Sequence, residues 1–296
     1  MTKVLILGGA GMLGHKIYQT LSTKPFDTYA TVRQAVHESP VSALNLCSDG
    51  HFIGGIDASD FAAVELLLDE IKPEVLINCV GIIKQRSDAH ESIQSITINS
   101  LLPHLLAEKC ALTGARLIHF STDCVFNGDK GAYRESDPSD AQDLYGRTKY
   151  LGEVSLPGSI TLRSSFIGRE LYNNSSLVEW FLSQDGKYVR GFSKALYGGL
   201  TTNRMANLVR DLILGYPEMS GMYQVSGPWI SKYELLLLIR DAYGLDIEIE
   251  QDEDIVIDRT LVGDRFREDT GLAVPPWEEM VSELAADQTP YESWKS

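Results

Sequence analysis

Positive charge is scarce in this sequence: 26 lysines and arginines stand against 41 aspartates and glutamates, a formal charge of −15. Nucleic acids and anionic membranes reward a basic surface, so neither is expected as a partner. An anionic ligand must instead be held by a local set of donors, against the overall field. Long hydrophobic runs are also missing, and none nears the roughly eighteen apolar residues of a membrane span. The opening Met1-Thr-Lys-Val-Leu-Ile-Leu-Gly-Gly9 has an apolar run that ends in glycines, which reads as a first buried strand rather than a secretory signal. Four cysteines, Cys47, Cys79, Cys110 and Cys124, show no C-x-x-C spacing and lie in or beside apolar stretches. Buried free thiols of a cytoplasmic protein are the expectation. The histidines form no H-x-x-x-H pair, so no metal is expected, and His15 and His119 read as structural groups. Internal repeats, low-complexity segments and long linkers are absent too.

What is present is a globular composition, 44% hydrophobic and 23% charged, in 296 residues. That length suits one large α/β domain, or a cofactor domain with a smaller lobe. Short apolar runs alternate with amphipathic segments through the first half, the pattern of βαβ units and a parallel sheet. Expected strands are Lys3–Leu7, Thr28–Arg33, His51–Gly54, Glu74–Cys79, Ala115–Phe120 and Ser159–Arg163. Expected helices are Met12–Leu21, Asp60–Ile71, Ala89–Leu112 with a kink at Pro103, and Leu144–Val154. The second half is less regular: Gly186 to Leu200 has no helical period, helices are expected over Thr202–Leu214 and Ser231–Tyr243, and a strand over Met222–Val225. The tail, with Asp252-Glu-Asp254 and Pro275-Pro276, reads as loops around short elements.

Gly8-Gly-Ala-Gly-Met-Leu-Gly14 follows the first strand and opens the first helix. Glycines there allow a tight turn, close approach of backbone to a pyrophosphate, and helix-on-strand packing, while the helix N-terminus attracts the phosphates. Gly8, Gly11, Met12, Leu13 and Gly14 are therefore expected to bind a dinucleotide. Arg33 lies 19 residues beyond Gly14, where an NAD site would carry an acid for the ribose hydroxyls. Its donors suit a 2′-phosphate, so NADPH is the expected cofactor and NADH the second candidate. Asp57 is placed either to accept from the adenine amine or to cap the following helix. Asn78, Val80 and Gly81 end the fourth strand, where a glycine lets the backbone approach the cofactor.

Tyr145-Gly-Arg-Thr-Lys149 sets a phenol and an ammonium four residues apart, on one face of an expected helix. Reducing a ketone requires a proton for the developing alkoxide, and an adjacent ammonium should make the phenol a better acid. Ser121-Thr-Asp123, directly after the fifth strand, supplies a hydroxyl for the same carbonyl oxygen. It sits at the carboxyl edge of the sheet, where ligands bind in such folds.

These three motifs together, with Cys124-Val-Phe126 and Tyr150-Leu-Gly-Glu153 continuing the last two, resemble the extended short-chain dehydrogenase/reductases. Within them the chain is most similar to the dTDP-4-dehydrorhamnose reductase family, strongly over the first 165 residues and more loosely after, at Gly199-Leu-Thr-Thr202 and Gly221-Met-Tyr-Gln-Val225. The resemblance implies a Rossmann-type doubly wound sheet over residues 1–165, with a return segment near 194–226, and a substrate-binding lobe from 166–193 and 227–296. It also implies that Thr122 bonds the substrate carbonyl, Tyr145 is the general acid, Lys149 positions it and holds the nicotinamide ribose, and Asn99 supports the lysine through a water. The implied substrate is a 4-keto-6-deoxyhexose linked to dTDP or UDP, in surface-polysaccharide synthesis, and the implied assembly a monomer or homodimer. Lys84, Asp123, Tyr145, Asn173, Trp180 and Arg265 are the candidate substrate contacts, Arg265 for the diphosphate. Two other readings stay open: a regulatory subunit like that of methionine adenosyltransferase, and a dehydratase or epimerase. The intact Thr122, Tyr145 and Lys149 oppose the first. Cys124, where dehydratases carry a glutamate, and Arg33 oppose the second.

Overall fold

The computed structural model describes residues 1–43, 51–83, 92–172 and 176–292. Chain order in the first half is β1 (Thr2–Leu7), α1 (Gly14–Leu21), β2 (Phe26–Thr31), α2 (Pro40–Ala43), β3 (Phe52–Ile53), α3 (Phe61–Ile71) and β4 (Val75–Asn78). Then come α4 (Ser92–Ser95), α5 (Leu102–Thr113), β5 (Arg116–Ser121), α6 (Leu144–Leu151) and β6 (Ser159–Arg163). The second half contains β7 (Phe166–Ile167), α7 (Leu177–Leu182), β8 (Tyr188–Phe192), β9 (Ala195–Tyr197), β10 (Leu200–Thr201), α8 (Thr202–Gly215) and β11 (Gly221–Gln224). It closes with β12 (Ile230–Ser231), α9 (Lys232–Tyr243), β13 (Glu248–Asp252), β14 (Ile257–Asp258), α10 (Asp264–Thr270) and α11 (Trp277–Ala285).

Seven parallel strands form the main sheet in the order β11-β6-β5-β4-β1-β2-β3. Successive side chains of a strand point to opposite faces, and here both faces are covered. Val4, Ile6, Val75, Ile77, Ile118, Phe120, Ile160 and Leu162 join one core, on the side of α1 and α8. Leu5, Leu7, Leu76 and Leu117 join the other, with α3 and α5. That two-sided burial is why these strands read as nearly continuous apolar runs. The order of strands reverses between β1 and β4, which opens a crevice at their carboxyl ends, the usual ligand site of such sheets. This is a Rossmann-like α/β fold, as the sequence pattern implied. β7 to β10 and β12 to β14 build three small sheets beyond the crevice.

One difference from the expected elements has a clear cause. The long helix expected over Ala89–Leu112 is, among described residues, α4, a π-helical segment Ile96–Leu101, and α5 with Pro103 in its first turn. Proline has no N–H to give the carbonyl four residues back, that of Asn99, so the irregularity precedes the ring rather than bending the helix at it. The short elements expected in the tail are two helices, α10 and α11. In α11, Trp277, Met280, Val281 and Leu284 are buried at helical spacing, and Pro276 stands at its N-cap position. A proline there is compatible with helix because an N-terminal N–H has no internal partner to lose. After α11, Asp287 pairs with Lys16 at 2.7 Å and the Tyr291 hydroxyl meets His15 Nε2 at 3.0 Å, which fastens this segment to α1. Burial holds His15 neutral, its pKa lowered to about 4.

Candidate active site

The turn after β1 shows why its glycines are glycines. Gly8 has φ +86°, a conformation that L side chains rarely adopt. A Cβ on Gly14 would lie 2.1 Å from the Gly8 carbonyl oxygen, and one on Gly9 would lie 2.6 Å from Ala30 Cβ. The turn is fixed from outside by Gly9 N–H donating to Thr31 O (2.8 Å) and Gly8 N–H to Thr31 Oγ1 (3.1 Å). The result is a backbone cradle with Ala10, Gly11, Met12 and Leu13 on the wall of a cavity of about 730 Å³. Asn78, Val80 and Gly81 line the same cavity, whereas Gly8 and Gly14 pack within the turn and are not among the lining residues.

The cradle fits a dinucleotide, because its cramped space admits backbone N–H groups and little else. Arg33 is exposed beyond the end of β2, outside the cavity lining, where a 2′-phosphate would be solvent-accessible. The Asp57 carboxylate is already engaged by the Ser59 N–H (2.9 Å) and hydroxyl (2.7 Å), which hold it below the usual carboxylate range, with Arg33 adding to the effect. It makes the turn before α3, whereas Asp60 is the N-cap, accepting from Ala63 N–H at 3.2 Å.

Across the crevice, β5 and α6 meet. Asp143 caps α6 by accepting from Gly146 N–H at 2.8 Å. A Cβ on Gly146 would fall 2.2 Å from the Cys124 carbonyl oxygen, so only glycine lets this helix sit against the turn that follows β5. That contact brings Tyr145 into the cavity that Thr122 also lines, where the Thr122 hydroxyl donates to Asp123 Oδ1 at 3.1 Å and accepts from Cys124 N–H at 3.2 Å. The neighbouring hydroxyl has another task. Ser121 Oγ donates to Glu153 Oε1 at 2.6 Å, and Glu153 receives Arg163 through both oxygens, at 2.9 and 2.7 Å. Arg163 is almost fully buried, with its guanidinium 5.0 Å from the Phe126 ring centre. This clamp ties the end of β5 to the residues that follow α6.

Lys149 also lines the cavity, with its ammonium donating to the Phe120 carbonyl at 2.7 Å. Burial lowers its pKa to about 8, although Glu153 works in the opposite direction. The ammonium is therefore charged below about pH 8 and increasingly neutral above. The expected acidification of the phenol is not what the structure shows. Burial pushes the Tyr145 hydroxyl up, Cys124, Asp123 and Asp143 add to that, and Thr122 opposes it. The phenol keeps its proton throughout the neutral range. Asn99 does not touch the lysine: its side chain accepts from Ile82 N–H (2.9 Å) and donates to Ile82 O (3.0 Å) and Thr148 Oγ1 (3.3 Å). It stitches the loop after β4 to α6.

The remaining candidates divide. Trp180, 39% exposed on α7, and Asp123 line the cavity. Burial raises the Asp123 carboxyl, opposed by the Thr122 bond and by Arg259 and Lys232. Lys84 and Asn173 lie outside the described residues. Arg265 is a correction: it is exposed, stacks on Tyr223 at 4.4 Å and donates to the Met222 carbonyl at 3.1 Å, away from the cavity. The sequence reading missed Arg259 and Lys232, which do line it. Arg259 is oriented by its Nε–H donating to Phe126 O at 2.8 Å. Lys232 opens α9 immediately after Ser231, whose capping box was a legible signal for the helix start but not for the direction of the lysine.

Residues 1–174 match the profile of a family described as "RmlD substrate binding domain". The chain belongs to this RmlD family, within the extended short-chain dehydrogenase/reductases. Among curated proteins, the RmlD-family chain is 27% identical to the spore coat polysaccharide biosynthesis protein SpsK of Bacillus subtilis, covering 84% of this chain and 82% of that one. It is 27% identical to a dTDP-4-dehydrorhamnose reductase of Aggregatibacter actinomycetemcomitans (81% and 79% covered). It is also 27% identical to methionine adenosyltransferase 2 subunit beta of Xenopus tropicalis (82% and 72%). A solved dTDP-4-dehydrorhamnose reductase of Bacillus anthracis, in complex with NADP, superposes with a TM-score of 0.79 at 20% identity, covering 97% of this RmlD-family chain and 100% of that one.

Proposed function

We propose that this protein reduces the 4-keto group of a nucleotide-linked 4-keto-6-deoxyhexose, using NADPH, in the cytoplasmic synthesis of surface-polysaccharide precursors. The observation that carries the reading is the convergence of Thr122, Tyr145 and Lys149 on one cavity that the glycine turn also lines. Residues 1–165 with a return segment near 194–226 would hold the cofactor, and 166–193 with 227–296 the sugar nucleotide. The turn from Gly8 to Gly14 would take the pyrophosphate, Arg33 the 2′-phosphate, and Lys149 the nicotinamide ribose. Bound there, the nicotinamide supplies the hydride.

The chain's own part is the proton. Thr122 and Tyr145 would both donate to the carbonyl oxygen, and Tyr145 would give up its proton as that oxygen becomes an alkoxide. A phenol that stays protonated at neutral pH is in the correct state for this direction. A positive charge on Lys149 would favour that transfer, even though burial keeps the resting phenol a weak acid. Arg259 and Lys232 are the local cations that a diphosphate needs on a protein of net charge −15. Cys124 speaks against dehydratase chemistry, because burial pushes its thiol up to about 12 and leaves no base at that position.

The test is to mix purified protein and NADPH with 4-keto-6-deoxyhexoses on dTDP and on UDP, and to follow nicotinamide absorbance. Consumption with either sugar is the expected result. Tight NADPH binding without consumption of any sugar would overturn the reading in favour of a regulatory subunit.

A further inference from the structure

Tyr197, at the end of β9, is buried to 8% exposure and lines the same cavity as Thr122 and Tyr145. Its ring is fixed: β9 is paired by β12 and β14, and Trp277 packs against the ring at 5.5 Å, itself anchored by its indole N–H to Pro228 O at 2.7 Å. Space for the hydroxyl depends on a glycine, since a Cβ on Gly199 would lie 2.3 Å from Tyr197 Oη. That hydroxyl is buried and makes no hydrogen bond of normal geometry to any described residue. Burial pushes this hydroxyl's pKa up, Ser165, another cavity-lining residue, opposes that, and Asp123 and Cys124 add to it.

Buried polar groups in native proteins are nearly always paired, and an exception needs an explanation. Several polar side chains here hold an unpaired buried atom among the described residues, Gln224 and Asn203 among them, but of these Tyr197 alone lines the cavity. Its electrostatic neighbours Asp123 and Cys124 directly follow Thr122, the residue assigned to the carbonyl oxygen. In a 4-keto-6-deoxyhexose the two carbons beside the carbonyl differ: carbon 5 bears a methyl group and the ring oxygen, which can only accept, and carbon 3 bears a hydroxyl. A fixed phenol hydroxyl that both donates and accepts would therefore find a matching hydroxyl on one side only.

We propose that the Tyr197 hydroxyl is a specificity-determining group, which hydrogen-bonds the 3-hydroxyl of the sugar and selects the 4-keto hexoses that carry one. The proposal rests on the reductase reading and names which feature of that substrate is read. A site built to pair a substrate hydroxyl rejects the analogue that lacks it, because its own buried group is then left unpaired.

The experiment compares wild type with Tyr197→Phe, as full chains with saturating NADPH, on a dTDP-linked 4-keto-6-deoxyhexose and its 3-deoxy analogue, and records both melting temperatures. Wild type is expected to prefer the 3-hydroxy sugar by at least about tenfold in kcat/KM. In Tyr197→Phe that preference disappears through a raised KM for the hydroxylated sugar, with kcat on either sugar within about twofold and the melting temperature unchanged or higher. Equal losses on both sugars, or an unchanged preference, would overturn the proposal, as would a variant that melts early and loses both activities. If wild type reduces neither sugar, the reductase reading fails instead. Equilibrium titration of both sugar nucleotides into the two proteins then decides on Tyr197, since a lost preference supports its role and a retained one refutes it.

Discussion

The two walls of the cavity are made from different materials. The wall proposed for the cofactor is backbone: glycines from one short turn, fixed by Thr31 and closed by the loop after β4. The wall proposed for the substrate is side chains drawn from distant places, with Tyr197, Lys232 and Arg259 arriving from β9, α9 and the residues after β14 to join Asp123 in the lining. A backbone site needs a fixed order of residues over a few positions and leaves a mark in sequence. A side-chain site needs only that separate segments converge, so each segment keeps its ordinary local appearance. Between the walls lie the proposed catalytic residues, on α6 and just after β5, where Glu153 clamps the end of β5 to β6.

The sharpest challenge to that division is at the clamp. Glu153→Ala strands the Arg163 guanidinium in the core, and the loss of one partner from a buried pair typically costs about 3–5 kcal/mol. Chemical denaturation should show a loss of that order. Glu153→Gln, which can still accept from Ser121 and Arg163, should recover much of it. A variant Glu153→Ala of wild-type stability would mean that the clamp does not hold the end of β5.

The substrate wall is tested by two arginines from the same tail. Arg259→Ala should raise KM for the sugar nucleotide about tenfold or more, as expected when a charge-assisted bond is lost. Arg265→Ala, away from the cavity, should leave KM within twofold. Steady-state kinetics with both variants checks this, and the reverse ranking would return the diphosphate to Arg265. The smallest effect is expected at the edge of the cofactor wall. Arg33→Ala should weaken NADPH severalfold while NADH changes little, because the exposed guanidinium acts on a solvent-screened phosphate. Fluorescence titration with both cofactors measures it, and equal losses would remove Arg33 from cofactor selection.

The same contrast explains what could be read from the sequence. That the glycine turn, Ser121-Thr122 and the Tyr145–Lys149 pair share one cavity was legible because the roles proposed for them require contiguous residues or a fixed helical spacing. The parallel sheet was legible because strands covered on both faces stay apolar throughout. Arg259 was not, since nothing near it in the chain distinguishes it from Arg265, and only the fold decides which side chain joins Asp123 in the lining. Helix α11 was hidden by the two prolines before it, which a helix start tolerates. The electrostatics of Tyr145 were misjudged for a related reason. Spacing placed an ammonium near the phenol, but it could not show that Lys149 donates to the Phe120 carbonyl or that burial dominates the phenol.

Tyr145 is proposed to supply the proton as NADPH reduces the 4-keto group, and one variant addresses that role directly. Tyr145→Phe should lower turnover of a 4-keto sugar by about 10²- to 10⁴-fold, the usual worth of a positioned general acid, with NADPH affinity unchanged within about twofold. Turnover by Tyr145→Phe at the wild-type rate would contradict the account, because no proton donor would then be needed at Tyr145.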